Sequence, residues 1–223
     1  MKLKKMLALT MAAVLAAGLT ACGSSAATSA APAAESTADA AGAPDGDGDP
    51  TTLTVAMECA YAPYNWTQSD DSNGAVAIRG SSDYAYGYDV MMAKKIGEAL
   101  GQQVQIVKLD WDSLIPAVMS GDVDCVIAGQ SITAERAAQV DFSNPYYYAS
   151  IVTLTKKDSA YASAASVADL AGATATSQLG TIWYDTCLPQ IENTNLLAPA
   201  DSAPAMIMQL QTCLLYTSPS PRD

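Results

Sequence analysis

Three arginines occur in a chain of 223 residues with a formal charge of −12, and Arg136 stands where an anion could be held. It closes the run Gly129-Gln130-Ser131-Ile132-Thr133-Ala134-Glu135-Arg136, directly after the apolar stretch Cys125-Val126-Ile127-Ala128. That pattern reads as a strand turning into a short helix with the arginine in its first turn. The first N–H groups of a helix lack intrahelical partners and carry a partial positive charge. A guanidinium fork beside them adds bidentate recognition of a carboxylate. The chemistry on offer is therefore anion capture. Paired with Glu135 or Asp141 instead, Arg136 would be an ordinary surface residue.

The rest of the composition narrows the function classes. There is no histidine, so no histidine-based triad or histidine metal site can form. Outside the N-terminus no basic cluster exceeds two adjacent lysines, which argues against nucleic acid or an anionic lipid surface as partner. The cysteines are Cys22, Cys59, Cys125, Cys187 and Cys213, at long spacings with no metal or redox motif. Cys125 falls in an apolar strand pattern and reads as a buried thiol; a disulfide from Cys59 is possible but has no support. No cofactor and no metal are expected.

The N-terminus reads as a targeting segment: Lys2, Lys4 and Lys5, then apolar residues 6–19, too few to span a bilayer. Leu19-Thr20-Ala21-Cys22 resembles the bacterial lipobox, which implies cleavage after residue 21 and a lipid on Cys22. A plain secretory signal is the alternative. Either way the mature protein is expected to be exported, without a transmembrane helix. Residues 22–50 are mostly small or polar and read as a disordered tether.

Folding is expected from residue 51. Residues 53–57 read as a strand, about 67–86 as a polar loop, and 89–100 as a helix with Met92, Ala93, Ile96 and Leu100 on one face. Gly101 is placed to end that helix. Residues 104–108 form a second strand. The next helix would be capped by Asp112, tolerate Pro116 early and end at Gly121. Residues 125–128 make the third strand. Such alternation argues for a mostly parallel α/β sheet, whose ligands bind beyond the carboxyl ends of the strands. Residues 58–66 and 129–136 both follow strands and should converge there. After a strand at 151–155, a similar unit begins: a helical turn at 167–170, a strand at 173–177, a turn at Gln178-Leu179-Gly180-Thr181 into a helix with Trp183, a strand at 195–197 and a helix at 203–210. A second lobe, joined through residues 153–157, would leave a cleft suited to a small ligand.

Residues 53–210 carry an ordered set of motifs. These are Glu58-Cys59-Ala60-Tyr61-Ala62-Pro63-Tyr64-Asn65-Trp66, Gly87-Tyr88-Asp89-Val90, Trp111-Asp112-Ser113-Leu114-Ile115-Pro116, Gly121-Asp122-Val123-Asp124, Thr133-Ala134-Glu135-Arg136, Phe142-Ser143-Asn144-Pro145-Tyr146 and Gln178-Leu179-Gly180-Thr181. In this order and spacing they resemble the solute-binding proteins for polar amino acids, the lipoprotein or periplasmic receptors of ABC importers. The resemblance implies an α/β, type II periplasmic-binding-protein fold, two lobes with a hinge that closes on ligand. It implies that Arg136 pairs with the ligand α-carboxylate, helped by the Gly129 backbone, the Ser131 hydroxyl and Thr181. Tyr61 would lie on the ligand side chain, Glu58 near the ammonium, and Gln178 where side-chain preference is tuned. Tyr61 and Trp66 could instead be lobe core, and Glu58 a solvated rim carboxylate. Tyr146, Tyr147 and Tyr148 read as packing near the hinge. The implied partners are an amino acid, ABC permease subunits and the membrane through Cys22, for a monomer facing outward and binding no nucleic acid.

The family pattern continues past residues 203–210 with a glycine and an aspartate-bearing strand. Here residues 213–223 follow instead, and they match a translation of a common sequencing-library transposase adapter. They are read as an assembly artefact, a real gene ending in a Ser/Pro tail being the alternative. The expected organisation is a signal peptide at 1–21, a lipidated tether at 22–50, lobe one at 51–155, an incomplete lobe two at 156–212 and the tail at 213–223. Two other functions use the same cleft: an exported dehydratase, for which Glu58 would be the lobe-one acid or base, and an amino-acid sensor lipoprotein.

Overall fold

The computed structural model describes residues 49–212 and the backbone of residues 215–219. The expected signal segment and Cys22 lie outside these residues. In chain order come β1 (Thr52–Met57), β2 (Ala60–Tyr61), β3 (Asn65–Gln68), β4 (Val76–Ala77), β5 (Tyr84–Tyr86), α1 (Tyr88–Leu100), β6 (Gln103–Lys108), α2 (Leu114–Ser120), β7 (Cys125–Val126) and α3 (Ala134–Ala137). Then follow β8 (Ile151–Leu154), β9 (Thr174–Thr176), β10 (Asn195–Leu196), α4 (Ala203–Thr212) and β11 (Leu215–Pro219).

β1 is buried from Leu53 to Met57, as a strand covered on both faces must be. It lies between β6 and β7, parallel to both, with Val55 opposite Ile106 and Cys125. Asp124 extends the second pairing: its carboxylate accepts the Thr54 N–H at 2.6 Å and its own N–H donates to the Thr54 carbonyl. Because β1 and β7 run the same way, residues 58–66 and 129–136 leave the sheet at its carboxyl end. That is the convergence expected of them.

Several expected elements need correction. Residues 67–86 are not a plain loop: β3, β5 and β4 pair antiparallel within them and join β2 in a four-stranded sheet. These strands have two to four residues each, too short for alternation to stand out. α1 turns inward a face shifted from the expected one: Val90, Ala93 and Gly97 are buried and Met92 packs against the core, while Ile96 and Leu100 are exposed. Gly97 sets that face, since a Cβ there would lie 2.7 Å from Val104 Cγ2 and 2.9 Å from the Gln102 carbonyl oxygen. Asp112 does not cap α2; it sits in the preceding 3-10 turn Trp111–Ser113, and Ser113 takes the capping position. Gly101 and Gly121 do end their helices, in left-handed conformations.

A third sheet, ordered β10-β9-β11-β8, has β9 parallel to its neighbours and β8 antiparallel to β11. Its hydrophobic clusters, one around Leu188 and one around Met206, are separate from the core around β1. Cys59 is buried, Cys125 and Cys187 are half-buried, and none of these three is disulfide-bonded.

Candidate ligand-binding site

Thr133 caps α3, its hydroxyl accepting the Arg136 N–H at 3.2 Å. That cap aims the Arg136 side chain back across the turn. Its Nη1 donates to the Ser131 carbonyl at 2.8 Å and its Nη2 to the Gly180 carbonyl at 2.9 Å. Its partners are thus carbonyl oxygens rather than Glu135 or Asp141, and Ser131 engages it through the backbone rather than the hydroxyl. Trp111 is the partner that the sequence reading missed. Its ring lies under the guanidinium, 5.6 Å from centroid to Cζ, and its Nε1 donates to the same Gly180 carbonyl at 3.1 Å. Partial burial lowers the Arg136 pKa, opposed by the charges of Glu135 and Asp185; at this starting value the group stays cationic.

Glu58 and Gln178 meet directly across the lobes. Gln178 Nε2 donates to Glu58 Oε1 at 2.8 Å, with the two residues 2% and 6% exposed respectively. Burial drives the Glu58 pKa up to about 7, the Gln178 bond opposing it. Glu58 is therefore not a solvated rim carboxylate. Thr181 is buried too, its hydroxyl donating to the Gln178 carbonyl at 2.7 Å. Tyr61 stacks on Tyr64 with centroids 4.9 Å apart and leans on Trp183 of the second lobe at 6.1 Å.

Two cavities open near these turns, and the buried Glu58 and Gln178 line neither of them. One, of 370 Å³, is lined by Tyr61, Tyr64, Gly129, Ser131, Tyr147 and Trp183 among others. The other, of 420 Å³, holds Arg136, Trp111, Thr133, Gly180 and Thr181. Gln130 and Ile182 line both and form the partition. The candidate residues thus gather in one region but not around one cavity: Arg136 and Thr181 face one, Tyr61, Gly129 and Ser131 the other. Tyr147 and Tyr148, read as hinge packing, line the first cavity.

Residues 53–213 match the family described as bacterial extracellular solute-binding proteins, family 3. The chain belongs to that family. Among relatives of this solute-binding protein is the arginine-binding extracellular protein ArtP of Bacillus subtilis, 34% identical over 58% of this chain and 45% of ArtP. Another is the ABC transporter arginine-binding protein 1 of Escherichia coli, 37% identical over 35% of this chain and 32% of that protein. The chain spans less than half the length of these two. Among solved structures, arginine-bound truncated ArgBP from T. maritima superimposes with a TM-score of 0.63 at 28% identity, covering 76% of this chain and 74% of that one. The ancestral amino acid-binding protein AncCDT-1, a precursor of cyclohexadienyl dehydratase, reaches 0.65 at 28% identity over 77% and 71%. The fold is the α/β type II periplasmic-binding-protein fold, with a partial second lobe. These relatives are binding proteins rather than enzymes.

Proposed function

We propose that this chain is part of the receptor of an ABC importer for a polar amino acid, and that Arg136 holds the ligand α-carboxylate. The observation that supports this most is the Arg136–Gly180 bond, an arginine fork reaching from one lobe to a backbone acceptor of the other. A ligand carboxylate would compete for that donor and bridge the same gap. Backbone groups near Gly129, the Ser131 hydroxyl and Thr181 would complete the carboxylate end once the ligand displaces the Gln130 and Ile182 partition. Glu58 would meet the ammonium, drawn from Gln178 by a full positive charge, and Tyr61 would cover the side chain. Closure excludes water and strengthens these charge pairs. Arginine, named as the ligand of ArtP and of ArgBP, is the first amino acid to test.

In the same reading, lobe one is 51–155, lobe two begins at 156, Cys22 carries the lipid anchor, and the mature protein hands its ligand to a permease as a monomer. Residues 213–223, β11 included, are a tail of adapter origin. Long-read sequencing across codon 212 tests this; an authentic stop after Asp223 overturns it. The full-length gene product should be warmed in thermal unfolding by at least one polar amino acid. A panel of all the common amino acids with no shift in unfolding temperature would reject the receptor reading.

A further inference from the structure

Asp89 is fully buried at the first turn of α1 and accepts two side-chain hydrogen bonds. One arm runs through Asn65, whose Nδ2 donates to Asp89 Oδ2 at 2.6 Å and whose Oδ1 accepts the Cys59 N–H at 2.8 Å. Asn65 is itself fully buried. The other arm runs through Tyr146, whose hydroxyl donates to Asp89 Oδ1 at 2.9 Å and accepts the Gly129 N–H at 3.0 Å. The chain of bonds therefore joins the turn bearing Glu58 and Tyr61 to the turn bearing Gly129 and Ser131. At both ends the backbone takes a left-handed conformation. Cys59 has φ +54, a left-handed conformation rare for a side-chain-bearing residue. Gly129 has φ +63 with open space where a Cβ would stand. Burial raises the Asp89 pKa to about 6, against the lowering effect of both arms; near neutral pH it remains an acceptor for both.

We propose that Asp89 is a positioning residue that ties both ligand-facing turns of lobe one into one rigid unit, with Asn65 and Tyr146 as its arms. The inference rests on the reading of these turns as the ligand face. At 146 the tyrosine hydroxyl donates to the carboxylate and accepts from the amide, and phenylalanine can do neither. The ring itself has separate support: it stacks on Tyr88 at 6.1 Å, and the Tyr88 hydroxyl donates to the Tyr146 carbonyl at 3.2 Å. Tyr146→Phe therefore removes the link while leaving the packing.

Amide hydrogen exchange, followed residue by residue by NMR on the ligand-free full-length protein, tests the lock without reference to any ligand. In Tyr146→Phe the Gly129 amide should exchange at least about tenfold faster, with amides of α2 changed far less. Asp89→Asn, nearly isosteric, keeps only one arm, so Cys59 or Gly129 should accelerate; it serves also if Tyr146→Phe fails to fold. L-Arginine titrated into wild type and Tyr146→Phe should give a dissociation constant about tenfold weaker in the variant, the size expected for bonds to a charged group. Unchanged Gly129 exchange, a uniform rise across the lobe, or faster exchange with unchanged affinity would each overturn the proposal. If wild type binds no amino acid, the receptor reading fails, and Gly129 exchange alone decides the lock.

Discussion

Glu58 gives the structure a titration that can be worked out in advance. Burial lifts its pKa from an ordinary 4.5 to about 7. Below pH 4.5 Glu58 is protonated in folded and unfolded chain alike, and its contribution is fully present. As pH rises toward 7, the unfolded chain gives up the proton while the folded one keeps it, so stability falls. Above 7 both states are ionised and the loss is complete. The gap between 4.5 and about 7, at about 1.4 kcal/mol per pH unit, amounts to about 3 kcal/mol. Asp89, raised from 3.8 to about 6, adds a loss of the same sign at lower pH, so a single curve cannot separate them. Glu58→Gln can. Glutamine has the shape of the protonated acid and still accepts the Gln178 bond. Urea unfolding of both proteins from pH 4 to 8 should give stabilities that meet at the acid end. They should diverge to about 3 kcal/mol at pH 8, with the variant more stable. Parallel curves across that range would refute the assignment of a buried, proton-retaining Glu58.

Three further outcomes follow from the same geometry. If a ligand ammonium reaches Glu58, binding near pH 6 should expel its proton, so calorimetric binding enthalpy should vary with buffer ionisation enthalpy; no buffer dependence would place the ammonium elsewhere. Gly87→Ala should destabilise by more than about 1 kcal/mol, since Gly87 has φ +130 and a Cβ would stand 2.2 Å from the Tyr64 carbonyl oxygen; an unchanged urea midpoint would contradict that fit. Leu114, fully buried at the start of α2, should cost about 2–5 kcal/mol on truncation to alanine, by cavity formation, read from the same unfolding curves.

What could be read from the residues was local. β1 was legible in the run Leu53-Thr54-Val55-Ala56-Met57, which the fold buries throughout, and Gly101 and Gly121 marked helix ends because both take positive φ. The parallel core and the shared exit of residues 58–66 and 129–136 followed from that alternation. What escaped depends on contacts between distant residues. The inward face of α1 was decided by the fit of Gly97 against Val104, not by where the large apolar side chains fall. Trp111 meets Arg136, Asp89 meets Tyr146, and Glu58 meets Gln178 only after the chain folds back on itself. No local spacing encodes those pairs. The partition by Gln130 and Ile182, which sets Arg136 apart from Tyr61, is likewise a property of the two lobes in contact.

The most direct test of the account is titration calorimetry of the full-length gene product, wild type and Arg136→Ala, with L-arginine first and other polar amino acids after it. The account predicts saturable binding by wild type to at least one of them, and loss of that binding in Arg136→Ala with cooperative unfolding retained. Equal affinity in the two proteins would contradict it, because the α-carboxylate would then be held by something other than Arg136.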